Sequence, residues 1–125
     1  ALTNLSIAVV DTGDGAIAAG FMLRNPFPAG VGPTDLVLPA RVGGWRVVDA
    51  YIVNNSGGAG AGTLQVQTGA GVAISDAMVP GLANVITRAL SVDLAAGTLA
   101  SGGTLRLAGA AGTTAGIAYV RFEPL

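Results

Sequence analysis

The stretch WRVVDAYIVN, residues 45–54, is the longest and most apolar strand candidate of the chain, and its side chains follow a two-residue period. Side chains alternate between the two faces of a β-strand, so this period predicts a strand. Both predicted faces are apolar: one would carry Trp45, Val47, Tyr51 and Val53, and the other Val48, Ala50 and Ile52. A two-layer sandwich buries only one face of each strand. We therefore expect a loop or another subunit to cover the second face, and an arginine to pair with Asp49.

The same short period recurs along the chain, with Gly, Asn, Asp and Pro between the apolar runs. In 63–68, Leu64 and Val66 are expected to point inward, and Gln65 and Gln67 outward. The other candidate strands are residues 5–10, 16–23, 35–38, 85–92, 104–108 and 116–123. The best helix candidate, 73–86, is broken by Pro80. The sequence thus predicts a single all-β domain over residues 1–125, an antiparallel β-sandwich or jelly-roll-like barrel of about eight short strands with Gly/Ala-rich turns.

The segment RNPFPAGVGPTD, residues 24–35, is predicted to be an irregular loop that three prolines stiffen. Phe27 is its large apolar side chain, which either contacts a partner or fills the core of its own chain. Because large aromatic residues and arginines dominate the energetics of protein interfaces, the predicted contact residues are Arg24, Phe27, Trp45 and Arg46.

The charge content favours a surface that partners cover. Only 10% of the residues are charged, and all six basic residues are arginines. A free globular domain normally carries a more charged surface. The net charge of −1 predicts no nucleic-acid partner. The longest uncharged stretches are interrupted by polar residues and glycine, so no membrane-spanning helix and no membrane partner are predicted.

The chain has no histidine, cysteine or lysine, which removes the usual general base, thiol nucleophile and Schiff-base amine. We expect no enzyme activity, no cofactor and no metal. The remote exception is Asp11-Thr12-Gly13, the active-site triplet of retropepsin-like aspartic proteases, in which two subunits each supply one carboxylate. The following Asp14 departs from that pattern and favours a β-turn. Whether Asp11 and Asp14 bind an ion stays open.

The segment WRVVDAYIVNNSGGAGAGTLQVQTGAGVAISDAMV, followed by TRALSVDLAAGTLASGGTLRL and AYVRFE, resembles the capsid decoration (cement) proteins of tailed bacteriophages. The resemblance covers residues 45 to 123. It implies an all-β viral structural protein, often a homotrimer. Such a protein lies on the outer capsid surface of the virion, where it binds the major capsid protein at capsomer junctions.

The alternative is a non-enzymatic receptor- or carbohydrate-binding β-sandwich of a phage fibre. For carbohydrate it would need an aromatic cluster, which Trp45, Tyr51 and Tyr119 would have to form, or a calcium site.

Overall fold

The structure is a computed structural model that describes residues 6–7, 20–40, 43–55 and 62–125. These residues form β-strands and irregular segments without a helix. The strands are β1 (Ser6–Ile7), β2 (Phe21–Phe27), β3 (Gly32–Val37), β4 (Trp45–Asn54), β5 (Leu64–Thr68), β6 (Ile86–Arg88), β7 (Thr98–Leu99), β8 (Thr104–Gly109) and β9 (Gly116–Pro124).

The strands form two antiparallel sheets around one core. The larger sheet has the order β1-β2-β9-β4-β6, with β7 also paired to β4, and the smaller sheet has the order β3-β8-β5. One cluster of buried apolar side chains joins the sheets, and both contribute fully buried residues such as Val120 and Leu107. The predicted all-β sandwich is therefore confirmed, whereas its jelly-roll connectivity stays a prediction. In β5, Leu64 and Val66 are buried as predicted.

Strand β4 departs from simple alternation at a β-bulge. Val47 pairs with Phe122 in β9, but the next pair is Asp49 with Arg121, so Val48 is an extra residue. The bulge reverses the alternation: Trp45 and Val47 face the core before it, and Ala50, Ile52 and Asn54 do so after it. The predicted grouping of Trp45 and Val47 with Tyr51 and Val53 is wrong, because a period of two cannot show an inserted residue.

The predicted irregular loop over 24–35 is also wrong. Residues 24–27 complete β2, residues 32–35 begin β3, and only 28–31 lie between the strands. Proline has no N–H group, so it is found in a strand where that position has no neighbouring strand to which it must donate. Pro33 lies in the edge strand β3, and Pro26 lies beyond the described pairs between β2 and β1. Phe27 is buried against Gly116, so this ring fills the core of its own chain.

Two glycine- and alanine-rich corners have different roles. After β5, the amide of Thr68 donates to the carbonyl of Val72 at 2.8 Å, and residues 73–78 return beside β5 as isolated bridges. After β8, by contrast, the chain passes to β9 in the other sheet. Residues 110–115 therefore close one end of the sandwich instead of forming a hairpin.

The Thr113 side chain holds that closed end together. Its hydroxyl is buried and accepts hydrogen bonds from the amides of Thr63 and Ala110, both at 3.1 Å. It also lies 2.6 Å from the carbonyl oxygen of Thr63 and 2.7 Å from that of Ala110, one of which receives its proton. A single hydroxyl thus connects the start of β5 to the turn after β8.

We expect Thr113→Val to lower the free energy of unfolding by about 1–3 kcal/mol, because the Thr63 amide loses its acceptor, whereas the Ala110 amide keeps the carbonyl of Thr63 at 3.0 Å. Thr113→Ser is the matched control, since it keeps the hydroxyl and should retain most of the stability. Chemical denaturation of the three proteins measures both effects. Equal stability of the valine and serine variants would contradict this role for the hydroxyl.

Candidate interaction surface

The side of the larger sheet that faces away from the core, which we call the outer face, carries the charged side chains of β2, β4, β6 and β9 together with Tyr51 and Tyr119. Cross-strand pairing places its residues in rows, because paired residues of antiparallel strands point to the same side. Its members are Met22, Arg24, Pro26, Arg46, Asp49, Tyr51, Val53, Ile86, Arg88, Ile117, Tyr119, Arg121 and Glu123.

Four of these residues form one row across the sheet, the Arg–Tyr row: Arg24, Tyr119, Tyr51 and Arg88. The two tyrosine rings stack at 4.8 Å between centroids with an interplanar angle of 15°. Arg24 lies 5.9 Å from the centre of Tyr119, and Arg88 lies 5.1 Å from that of Tyr51, within the range of cation–π attraction. The row is therefore a four-layer stack, with a guanidinium group at each end.

This stack limits what the surface can bind. Each tyrosine ring has the other ring on one side and a guanidinium group near the other side, which restricts the approach of a flat ligand to the ring faces. Arg24 Nε donates to the Tyr119 hydroxyl at 3.3 Å, so the ring edges and the other guanidinium N–H groups remain for contact. The arrangement is suited to polar acceptors and to packing against another protein, and it is poorly suited to stacking a sugar ring on an aromatic face.

An apolar row lies beside the Arg–Tyr row. Register places Pro26, Ile117, Val53 and Ile86 side by side across the four strands. Ile86 is 60% exposed, and it belongs to a run of exposed apolar residues that we call the apolar segment 79–90. The other exposed large apolar residues in this segment are Val79, Leu82, Val85 and Leu90. The largest exposed apolar side chains near β6 therefore adjoin one edge of the outer face.

Hydrogen bonds fix the shape of the apolar segment 79–90. The buried Asn54 side chain donates to the carbonyl of Gly81, and the main-chain carbonyl of Asn54 accepts from the amide of Asn84, both at 2.8 Å. The amide of Ala89 donates to the carbonyl of Ala50 at 2.9 Å. Because the backbone is already held, binding through this segment would cost little ordering entropy.

The structure separates the predicted contact residues into two groups. Arg24 and Arg46 are exposed on the outer face. Phe27 and Trp45 are buried in the core, where Trp45 has no exposed area and Nε1 donates to the carbonyl of Pro39 at 2.9 Å. The predicted pairing of Asp49 is confirmed, with Arg88 as its partner. Contact through Phe27 and Trp45 is not proposed further, because their side chains pack within their own chain.

Sequence reasoning missed Tyr51, Tyr119, Arg88 and Arg121 as members of one surface. Alternation alone places Tyr119 and Arg121 on one side of β9, and that signal was available. The side of β4 that joins them depends on the bulge, and the partner of each strand depends on sheet order. Neither can be derived from a period of two.

Several predicted features lie outside the described residues: Asp11, Asp14 and the protease triplet, together with parts of the predicted strands 5–10 and 16–23. Within the described ranges, no three His, Cys, Asp or Glu side chains come together as metal ligands. The part of the chain that the structure describes has no helix with the length and hydropathy needed to span a bilayer.

Comparisons with protein-family models, with curated proteins and with solved structures find no match for this chain. The outer face is therefore interpreted from its own residues.

Proposed function

We propose that this chain is a structural protein of the virion that decorates a tailed-phage capsid. In this proposal it binds the major capsid protein at capsomer junctions, on the outer surface of the shell, and stabilises the shell without chemical catalysis. Support comes from the resemblance over residues 45 to 123, from the low charge content of the chain, and from the outer face.

The outer face is the observation that carries the proposal. Protein interfaces are enriched in tyrosine and arginine, around a core of apolar contacts. Here the Arg–Tyr row lies beside an apolar row on the same sheet, and the apolar segment 79–90 runs through the edge strand β6. A sheet is a stiff support for such a surface, so little conformational freedom is lost on binding.

Repetition of weak contacts supports the same function. A homotrimer at a capsomer junction would present three copies of the outer face to a shell that repeats its own surface. After one copy binds, the others bind at a high effective concentration, so modest contacts become stable together. We include the homotrimer in the proposal for this reason.

The test is to mix the purified protein with DNA-free phage capsid shells, before and after expansion, and to separate bound from free protein by sedimentation. We expect saturable binding at a fixed number of copies for each capsomer junction, and we expect bound shells to break at a higher temperature. Protein that stays free with both kinds of shell would refute the proposal.

A carbohydrate-binding fibre protein is the second candidate, because Tyr51 and Tyr119 do come together on an exposed sheet. Trp45 does not join them, and Arg24 and Arg88 restrict access to the ring faces. Glycan-array binding that is lost on Tyr119→Ala would favour this candidate over capsid decoration.

A further inference from the structure

The charges of the chain are divided unevenly between the outer face and the rest. The outer face holds four arginines, Arg24, Arg46, Arg88 and Arg121, and two carboxylates, Asp49 and Glu123, so its formal net charge is +2. The other described charged residues are Asp35, Asp76, Asp93 and Arg106, with a formal net charge of −2. The outer face is therefore the basic side of the described part of the chain.

Three of the four arginines on this face have no carboxylate partner among the described residues. Arg88 pairs with Asp49, whereas Arg24, Arg46 and Arg121 form no ion pair within the described ranges. Arg24 and Arg121 lie on neighbouring strands in diagonal positions, about 7–8 Å apart by the geometry of antiparallel sheets. A shallow groove beside Arg121 is lined by Gly20, Phe21, Met22, Arg121 and Phe122.

The described carboxylates away from this face are already engaged. Arg106 binds the Asp35 carboxylate with two hydrogen bonds, of 2.8 and 3.2 Å, and these lower the pKa of Asp35. Asp76 accepts from the amides of Leu90 and Ser91. Asp93 accepts from the amides of Ala95 and Ala96.

From its described residues, a second copy of the chain would therefore offer few free carboxylates to the outer face. Among described acidic residues, only Glu123 has no arginine or amide hydrogen-bonded to its carboxylate, and Glu123 lies on the outer face itself. The unpaired guanidinium groups match an acceptor that comes from a different protein, since guanidinium groups bind carboxylates in a forked geometry.

We propose that the outer face binds a protein surface that presents aspartate or glutamate side chains to Arg24, Arg121 and Arg46, with apolar contacts along the segment 79–90. This inference rests on the proposed function, because it specifies the chemistry of the capsid surface at which the chain docks. It also assigns the docking face, which the sequence could not do.

The direct test uses a peptide of eight glutamates as the probe and NMR spectra of the isotope-labelled protein as the readout. We expect shifts of the Arg24, Arg46 and Arg121 Nε–Hε signals, with affinity falling at least about tenfold between 50 and 500 mM salt. A peptide of eight glutamines should give no shifts. The inference is refuted by shifts elsewhere on the protein, by equal binding of the glutamine peptide, or by a thymidine octanucleotide that binds as tightly as the glutamate peptide.

Two variants test whether the outer face is the site that binds the peptide. The double variant Arg24→Gln/Arg121→Gln should weaken peptide binding at least about tenfold, the effect of losing roughly two exposed charge contacts. Arg106→Gln removes the same kind of charge from the smaller sheet and should change binding less than about twofold. The double variant removes two charges and Arg106→Gln removes one, so a weakening of about threefold or more by Arg106→Gln would mean that only total charge matters, and the assigned face would be wrong.

The same variants separate this inference from capsid decoration. If wild-type protein binds shells and the double variant binds them equally well, decoration stands and the acidic docking surface is refuted. If the protein does not bind the shells but the glutamate peptide binds to the outer face, the proposed function is refuted and the inferred preference of the outer face for carboxylates is supported.

Discussion

Gly44→Ala is expected to lower the free energy of unfolding by at least about 3 kcal/mol, from a left-handed backbone conformation and a steric overlap together. Gly44 precedes β4 and has φ of +80°. A methyl group there would overlap the carbonyl oxygen of Leu99 and lie 3.3 Å from the Cα atom of Ala100. Backbone atoms of the paired strand β7 cannot turn aside as a side chain can, so the entry to the central strand would have to move.

Gly112→Ala is the matched control for this prediction. Gly112 has φ of +83°, almost the same as Gly44, but an added methyl group would meet no atom within 4 Å. It should therefore cost only the conformational strain, about 1 kcal/mol. Urea denaturation of both variants isolates the steric part as the difference between them. If the two variants lose the same stability, close approach of Gly44 to Leu99 does not constrain the fold.

Trp45→Ala is expected to lower the free energy of unfolding by about 3–5 kcal/mol, the range for removing a buried aromatic side chain. The ring has no exposed area and meets Phe21 edge-on, at 4.8 Å between centroids. The substitution leaves a cavity between the sheets and leaves the Pro39 carbonyl without its indole donor. Since small domains are stable by roughly 5–15 kcal/mol, we expect partial unfolding near physiological temperature.

Arg46→Ala is the control, because Arg46 is the next residue along β4 and points to the opposite side. Its loss should change stability by no more than about 0.5 kcal/mol, as is usual for exposed positions. Thermal unfolding compares the two variants. If the Trp45→Ala protein has wild-type stability but binds capsid shells more weakly, Trp45 is a contact residue and its core position is contradicted.

The residues of the candidate surface show how far sequence reasoning reaches. Arg24 and Arg46 could be chosen by residue type, since exposed arginines are common at interfaces. The same criterion selected Trp45, which the structure buries, because a large aromatic residue is favoured both in cores and at contacts. Residue type therefore gives candidates, and only the neighbours of a side chain decide between these two environments.

The sequence by itself determined the all-β class, the inward direction of Leu64 and Val66, and the need of Asp49 for an arginine. The first two follow from the two-residue period of a strand, and the third from the attraction between a carboxylate and a guanidinium group, although Asp49 lies on the outer face and not among buried side chains. Tertiary structure alone decided that β4 changes faces at Val48 and that Phe27 packs on Gly116. It also decided that residues from four strands form the Arg–Tyr row. Pairing between distant segments creates these features, and one extra residue in a strand changes the side to which every later side chain points.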